Sequence, residues 1–324
     1  MVAAPVARAS HGGAPPAPGK YAPEVRLAEE ERFFPARPAN FIAHSTLVWY
    51  GCGSEVQRWS EVRPDGLGAG AAEPYRSPRY WSGDGVEPRP ECPPGALPGD
   101  MTVWFEASAW TRPQGDPGGG SAPRPQQLAA RPADGFALDL RDEFRRGARD
   151  PNRIPVNYEA GRLRDGGWWI TYWLFYAYNG KARSRHEGDW ERVSVRFDEH
   201  ARPKRVAYYA HAGAPRVCSW DEVRKAGKRH PVVYAAPGSH ASFPKPGQFR
   251  VGSGGRIDRA WGSGVRWRTW LAGVREAHEP WYGFGGAWGE RGPDSTSTGP
   301  PGPGQRSAHD WGSGGQSCTN RQVN

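Results

Sequence analysis

The sequence predicts an all-β protein, an antiparallel β-sandwich with long Gly/Pro-rich loops and little helix. The stretch WERVSVRF, residues 190–197, alternates apolar and polar side chains, which is typical of a half-buried strand. The stretch WWITYWLFYAY, residues 168–178, is aromatic and β-branched, the composition that strands favour. The 44 Gly and 33 Pro of this 324-residue chain favour turns over long helices. Short strands separated by turns indicate a sandwich.

The N-terminal half predicts a leader followed by an interrupted domain. Residues 1–20 end in HGGAPPAPGK and indicate a disordered leader, and one domain is expected over 21–312. MTVWFEASAW, residues 101–110, predicts a strand. A flexible insertion rich in Pro and Gly follows near 112–132. ALDLRDEFRRGA, residues 137–148, predicts a short helix.

The C-terminal half continues the β pattern. RVAYYAH at 205–211 and PVVYAA at 231–236 predict short strands. SWDEVRKAG at 219–227 predicts a capped helical turn that ends at Gly. Residues 313–324 are expected to form a disordered tail.

The charge of the chain points away from nucleic acid. The formal net charge is +9, but the basic residues are scattered without a run of five. A basic surface favours anionic lipid instead, so peripheral membrane contact stays open. The most apolar stretch, 168–178, is about half the length of a spanning helix, so no transmembrane span is expected. The start MVAAPVARAS lacks the apolar core of a signal peptide, which favours a soluble protein whose compartment stays open.

The cysteines exclude one class of metal site. Four Cys occur, at 52, 92, 218 and 318, and no CxxC motif is present, which excludes a zinc ribbon. Disulfides stay open, and Cys52–Cys92 is the most local pairing.

The motif HEGDWE, residues 186–191, predicts a cation site. Alternate residues of a strand share a face, so Asp189 and Glu191 project together, ~6.5 Å apart along the strand. Two carboxylates at the end of a buried face repel each other, and a hard cation such as Ca²⁺, Mg²⁺ or Mn²⁺ relieves the repulsion. His186 lies in the entering loop and completes one side of the site. The alternative is that Asp189 and Glu191 face solvent and pair with arginines.

Five motifs together resemble the family of vacuolar protein sorting-associated protein 62. They occur in the same order here: YAPEVRLAEEERFFP (21–35), YWLFYAYN (172–179), HEGDWERVSV (186–195), HPVVYAAPGSHASF (230–243) and WG…TGPPGPGQ (288–305). The two central motifs are the most specific. The name of the family implies a role in trafficking and does not define a biochemical activity.

A more distant resemblance links the motif to the necrosis-inducing Nep-like cytolysins, which are β-sandwiches with a GHRHDWE signature. In that family the first His of HRHDWE, the Asp and the Glu help to hold a divalent metal, and the domain binds sphingolipid head groups. His186, Asp189 and Glu191 match those positions, whereas Glu187 and Gly188 replace an Arg and a His. The resemblance therefore implies a metal at these three residues. The additional upstream Asp of the cytolysins has only Asn179 as a counterpart.

The site residues support three functions. Asn179, Glu187 and His240 are expected to line the same pocket as the cation. The first function is divalent-cation-assisted recognition of a glycan or a lipid head group, without catalysis. The second is a metal-dependent hydrolase in which His240 or Glu187 moves protons. The third is a structural domain without metal.

Overall fold

The structure is a computed structural model. It describes residues 14–51, 54–59, 135–182, 184–211, 214–251, 256–284, 286–290, 297–306, 309, 311 and 316–318. The strand expected at 101–110 and the insertion expected near 112–132 lie outside these residues.

Strands are the main regular secondary structure of the described residues, which confirms the all-β prediction. The one α-helix in this part of the chain is α1, Pro38–Ala43. Single 3₁₀ turns occur at Pro18–Lys20, Asp142–Phe144, Pro151–Arg153, Pro280–Gly283 and Pro303–Gln305. The strands are β1 Glu24–Arg26, β2 Ser45–Gly51, β3 Ser54–Trp59, β4 Gly135–Leu140, β5 Val156–Arg162, β6 Trp168–Asn179, β7 His186–Phe197, β8 Pro203–Tyr208, β9 Arg216–Ser219, β10 Lys225–Ala226, β11 His230–Ala235, β12 Ser242–Phe243, β13 Gly247–Val251, β14 Arg256–Ala260, β15 Arg266–Arg268, β16 Val274–Glu276 and β17 Gln316–Ser317.

Two sheets dominate the architecture. The larger has the strand order β16–β5–β6–β7–β8–β9–β17, and the second has the order β10–β11–β1–β15 with β12 beside β11. The hairpin β13–β14 and the group β3–β2–β4 form smaller sheets. The run from β5 to β9 is antiparallel, as predicted, but β1 with β11, β5 with β16 and β9 with β17 are parallel. The pairings that depart from the prediction therefore all join strands distant in sequence.

The main core lies between the two large sheets, as expected for a sandwich. One face of β6 and β7 supplies Tyr172, Tyr176 and Val195, and the second sheet supplies Val25 and Trp267. All five are almost fully buried. Alternation along β6 and β7 therefore directs one side-chain set toward the second sheet.

The opposite face of β6 and β7 is also covered. Trp173, Phe175 and Trp190 pack there against α1, β4 and the segment that contains Trp281 and Trp288. The rings of Trp190 and Trp288 meet edge to face, with their centroids 5.1 Å apart. Both faces of these two strands are therefore buried, which explains why β6 is apolar along most of its length.

Three expectations need correction at the ends and in the middle of the chain. The ordered part begins before residue 21, because Pro18–Lys20 forms a turn whose Pro18 carbonyl accepts the Tyr172 hydroxyl at 2.7 Å. The helix expected over 137–148 is instead the end of β4 followed by a 3₁₀ turn. The alternation in FALDL lets this stretch pair with β2, which overrides its helical signals.

The tail expected over 313–324 is partly anchored. Residues 316–317 add to the edge of the larger sheet beside β9, and Cys318 forms a disulfide with Cys218. The sequence offered no basis for this pairing, because the two cysteines are 100 residues apart. Cys52 and Cys92 lie outside the described residues. No helix in the described part of the chain has the length and apolar character to cross a membrane.

Candidate functional site

Asp189 and Glu191 project from one face of β7, as predicted. Asp189 is paired across the sheet with Tyr176, and Glu191 with Leu174, both of which belong to the main core. Both carboxylates are buried, with 5% and 8% of their surface exposed. The alternative in which they face solvent is therefore wrong.

His240 provides a positive charge for Asp189. Its Nδ1 donates to Asp189 Oδ2 at 2.7 Å, and its Nε2 donates to the Phe33 carbonyl at 3.0 Å and lies 3.4 Å from Glu31 Oε2. The ring is fully buried and stacks on Tyr176, with the centroids 3.8 Å apart. Burial alone lowers the pKa of His240, but the hydrogen bonds to Asp189 and Glu31 outweigh it and raise the pKa to about 10. Glu31, His240 and Asp189 thus form a buried triad with an imidazolium at its centre.

Glu31 is the second anion of the buried triad. Its Oε1 accepts the backbone N–H groups of Arg32 at 2.8 Å and Phe33 at 3.0 Å, and its Oε2 accepts that of Gly238 at 2.8 Å. Burial raises the pKa of Glu31, but the hydrogen bond and charge of His240, with the amides of Gly238 and Phe33, lower it to about 2. The carboxylate therefore joins the segment around residue 32 to the loop around residue 238.

Glu191 has a buried carboxyl group whose pKa is raised. Burial and the nearby charge of Asp189 raise its pKa well above the usual range, while the charges of Arg306 and His240 oppose the rise. Arg306 and His240 are therefore two cations that reduce the repulsion between the two carboxyl groups, which the sequence analysis assigned to a metal.

His186 does not join Asp189 and Glu191. Its Nδ1 donates to the backbone carbonyls of Gly188 at 2.8 Å and Glu187 at 3.1 Å. Among the described residues, one group of three metal-ligating side chains has its donor atoms within 4.8 Å of one another: Asp198, Glu199 and His200, in the turn after β7. His186, Asp189 and Glu191 do not form such a group among the described residues, and a cation shared by these three residues stays a prediction.

Glu187 fixes the opposite side of the motif. Its fully buried carboxylate accepts the Leu140 N–H at 2.8 Å, the Glu290 N–H at 3.2 Å, and Arg145 Nη2 at 2.8 Å. Burial raises the pKa of Glu187 to about 7, although the Leu140 amide and Arg145 favour the charged form. Glu187 thus joins three segments of the chain.

The backbone conformation of Gly188 allows Glu187 and Asp189 to form hydrogen bonds with different partners. Its φ is +58°, and a Cβ atom there would lie 2.1 Å from the Trp288 carbonyl oxygen. Both features require glycine. The strand therefore turns at this residue and packs directly against the backbone of the segment around Trp288.

A basic cleft lies beside the buried triad. It has a volume of about 480 Å³. The charged side chains that line it are Arg32, Arg145, Lys181, Arg185, Glu30 and Glu31. Phe33 and Tyr178 add aromatic wall, and their ring centroids are 4.8 Å apart.

Two of the four cations in the cleft form no ion pair within the described part of the chain. Arg32 and Arg185 are exposed and form no ion pair with any other described residue. Arg145 is held by Glu187, and Lys181 Nζ lies 3.4 Å from Asp258 Oδ1. Arg32 and Arg185 are therefore the cations with most capacity to receive an anion.

The residues predicted to line the pocket lie next to this cleft rather than on its wall. Asn179 is buried, and its Oδ1 accepts the Lys181 N–H at 3.1 Å. His240 Nε2 lies 3.4 Å from Glu31 Oε2, and Glu187 Oε1 accepts a hydrogen bond from Arg145 Nη2 at 2.8 Å. The sequence had indicated Asn179, Glu187 and His240 as pocket-lining residues. It had not indicated Glu31, Arg145 and Lys181, which line the cleft. The only earlier signal for Glu31 was its place in the first family motif.

The comparisons with known proteins agree with one of the two resemblances. Residues 166–266 match the family model described as vacuolar protein sorting-associated protein 62. No curated protein and no solved structure matches the chain. The similarity to the Nep-like cytolysins stays a prediction. The matched segment runs from just before β6 into β15 and contains Asp189, Glu191 and His240. In this central segment the chain is thus similar to the vacuolar protein sorting-associated protein 62 family.

Proposed function

We propose that this protein is a binding domain that recognises a phosphorylated head group in the basic cleft. The observation that carries the proposal is the charge of the lining, in which Arg32, Arg145, Lys181 and Arg185 outnumber Glu30 and Glu31. The volume of about 480 Å³ suits a small polar molecule. The matched family is named for sorting to a membrane compartment, and head-group recognition fits such a role.

The side chains of the cleft suit a phosphate carried on an organic group. A guanidinium donates two parallel hydrogen bonds to phosphate, and Arg32 and Arg185 form no ion pair with another described residue. Phe33 and Tyr178 offer ring surface to a glycerol or sugar moiety. The cleft therefore combines two free anion-binding groups with an apolar wall.

The buried triad holds this cleft in shape. Glu31 fixes the backbone at Phe33 and Gly238, both of which line the cleft. A preformed cleft binds more tightly because less conformational entropy is lost on binding. The triad is therefore a support for the ligand site rather than the ligand site itself.

We propose recognition without a resident divalent cation, in place of the cation-assisted form that the sequence suggested. Asp189 has His240 as its counter-ion, and His186 is directed at its own backbone. For the alternative hydrolytic role, both nitrogens of His240 are already hydrogen-bonded. The other candidate, Glu187, is fully buried and already accepts hydrogen bonds from Leu140, Glu290 and Arg145.

The proposal is tested by calorimetric titration with sn-glycerol 3-phosphate and with vesicles that contain phosphatidic acid. These arms separate a free phosphate ester from a lipid head group. The double variant Arg32→Gln/Arg185→Gln should bind roughly ten-fold or more weakly, because it removes two charged hydrogen-bond donors. The matched control is Arg202→Gln/Arg205→Gln, which removes the same charge from two exposed positions outside the cleft and should change affinity less than about two-fold.

Binding that both double variants weaken equally would show only a non-specific charge effect and would refute the cleft. Loss of wild-type binding in EDTA would restore the cation-assisted form. Equal affinity of the wild type for glycerol and for its phosphate would refute phosphate recognition.

A further inference from the structure

The hairpin β13–β14 has one buried face and one exposed face. Phe249, Val251 and Ala260 point inward and belong to a separate apolar cluster. The register places Arg250 directly opposite Ile257, and both side chains are exposed. The exposed face therefore sets a cation beside an apolar side chain.

Exposed apolar side chains are concentrated in and after this hairpin. Among the described residues, the large hydrophobic side chains with the greatest exposure are Ile257 at 37%, Trp261 at 49%, Val265 at 41% and Leu271 at 57%. Ile257, Arg259 and Trp261 follow one another at every second position along and just beyond β14. Alternation therefore directs these three side chains to the same side.

The exposed charged side chains of the described residues between 247 and 271 are all basic. Residues 247–271 contain one acidic residue, Asp258, which is fully buried and accepts a hydrogen bond from His211 at 2.6 Å. Arg250, Arg259 and Arg266 are exposed and form no ion pair with other described residues. The surface is therefore cationic and apolar at once.

We infer that the hairpin face, defined as Arg250, Ile257, Arg259 and Trp261, docks on the surface of an anionic lipid bilayer. Arginine binds the phosphate and carboxylate groups of anionic lipids, and tryptophan is enriched at the depth where head groups meet acyl chains. The alternation of both side-chain types along one strand places them at the same depth. Charge complementarity selects the bilayer over a second copy of this chain, since two copies of a cationic face repel each other.

The hairpin face does not overlap the basic cleft, and the inference holds whether or not the cleft binds a head group. Cleft variants change the affinity for soluble sn-glycerol 3-phosphate, whereas hairpin variants should leave that affinity unchanged. A soluble ligand thus reports on the cleft alone, and the effect of the hairpin variants on vesicle binding reports on the hairpin face.

The test is co-sedimentation with phosphatidylserine–phosphatidylcholine vesicles and with pure phosphatidylcholine vesicles. Phosphatidylserine carries a phosphodiester and a carboxylate but no phosphomonoester. At about 0.1 M salt the variant Arg250→Gln/Arg259→Gln should bind about 25-fold more weakly, from about five-fold per arginine near the surface. The matched control Arg202→Gln/Arg205→Gln should stay within about two-fold of the wild type.

The apolar contribution is tested separately at high salt. Ile257→Ser/Trp261→Ser should weaken the remaining binding roughly ten-fold, and Trp261→Phe should retain most of it. Vesicles with brominated acyl chains should quench part of the wild-type tryptophan fluorescence and less of it in Trp261→Ser. Equal binding to both vesicle types would overturn the inference, and so would equal loss in the hairpin and control variants. A wild-type dimer that Trp261→Ser dissociates, without binding to vesicles, would assign this face to self-association and would also overturn it.

Discussion

Replacing Asp189 by Asn distinguishes an internal ion pair from a metal site. The substitution keeps the shape of the side chain and removes the negative charge that accepts His240 Nδ1–H at 2.7 Å. His240 then retains Glu31 as its only anionic contact in the buried triad, 3.4 Å away. A buried charge that loses a partner destabilises the fold.

The size of the effect follows from the protonation of His240. Its pKa rises from 6.5 to about 10, and each unit corresponds to ~1.4 kcal/mol in favour of the protonated form in the fold. Asp189 and Glu31 share this gain, which gives Asp189 roughly 2–3 kcal/mol. Relief of the repulsion between Asp189 and Glu191 offsets part of the loss, so we expect about 2 kcal/mol. For a chain of this size the melting temperature should fall by about 4 °C.

The assay is thermal unfolding in EDTA and again with Ca²⁺ or Mn²⁺. Glu191→Gln is the matched control, because it changes the neighbouring carboxyl group and leaves the hydrogen bond between His240 and Asp189 in place. This variant should lose less than about 1 kcal/mol. In a metal site, by contrast, Asp189→Asn would be neutral or slightly stabilising without metal. Saturating cation would then stabilise only the wild type, by about 2.7 kcal/mol at one hundred times Kd. That pattern would refute the internal ion pair.

Three further predictions follow from the same geometry. Stability from Glu31 should be present above pH 4.5 and be lost as the pH falls toward 2, and stability from His240 should be present below pH 6.5 and be lost as the pH rises toward 10. Urea unfolding measured from pH 2 to pH 10 should therefore give the highest free energy of unfolding between pH 4.5 and 6.5. In His240→Asn the decrease of this free energy above pH 6.5 should be smaller than in the wild type. Gly188→Ala should cost about 3 kcal/mol, whereas Gly227→Ala, where φ is also positive but nothing lies near the new methyl, should cost about 1 kcal/mol. Equal losses of unfolding free energy in the two variants would show that the close approach of Gly188 to the Trp288 carbonyl does not affect stability. Cys318→Ser should lower the free energy of unfolding by up to about 4 kcal/mol, because the Cys218–Cys318 disulfide closes a long loop in the unfolded chain. A reductant should destabilise the wild type by a similar amount and should have little effect on the variant.

The sequence was most informative where one periodic pattern determined the structure. Alternation in WERVSVRF predicted β7 and correctly placed Asp189 and Glu191 on its buried face. The same rule could not identify their partners, because Glu31 and His240 approach from segments far apart in sequence. Hydrogen-bond partners at such separations depend on tertiary packing.

Other features of the site depend on tertiary contacts. The shared face of Asp189 and Glu191 suggested a metal, whereas the cation that the fold places against Asp189 is His240, which lies 51 residues away in the sequence. The sequence analysis placed His186 in the loop that enters the strand, as a ligand. In the structure His186 is the first residue of β7, and its Nδ1 bonds to the carbonyls of Glu187 and Gly188. The basic cleft was not predicted, because its arginines are contributed by three segments.

We propose that the basic cleft binds the phosphate and that Asp189 and Glu191 bind no metal. The most direct measurement is a crystal structure of the protein grown with sn-glycerol 3-phosphate and MnCl₂, with anomalous data at the manganese edge. We expect a phosphate between Arg32, Lys181 and Arg185, with His240 still hydrogen-bonded to Asp189. A manganese peak bound by Asp189 and Glu191, with no phosphate in the cleft, would contradict both parts of the claim.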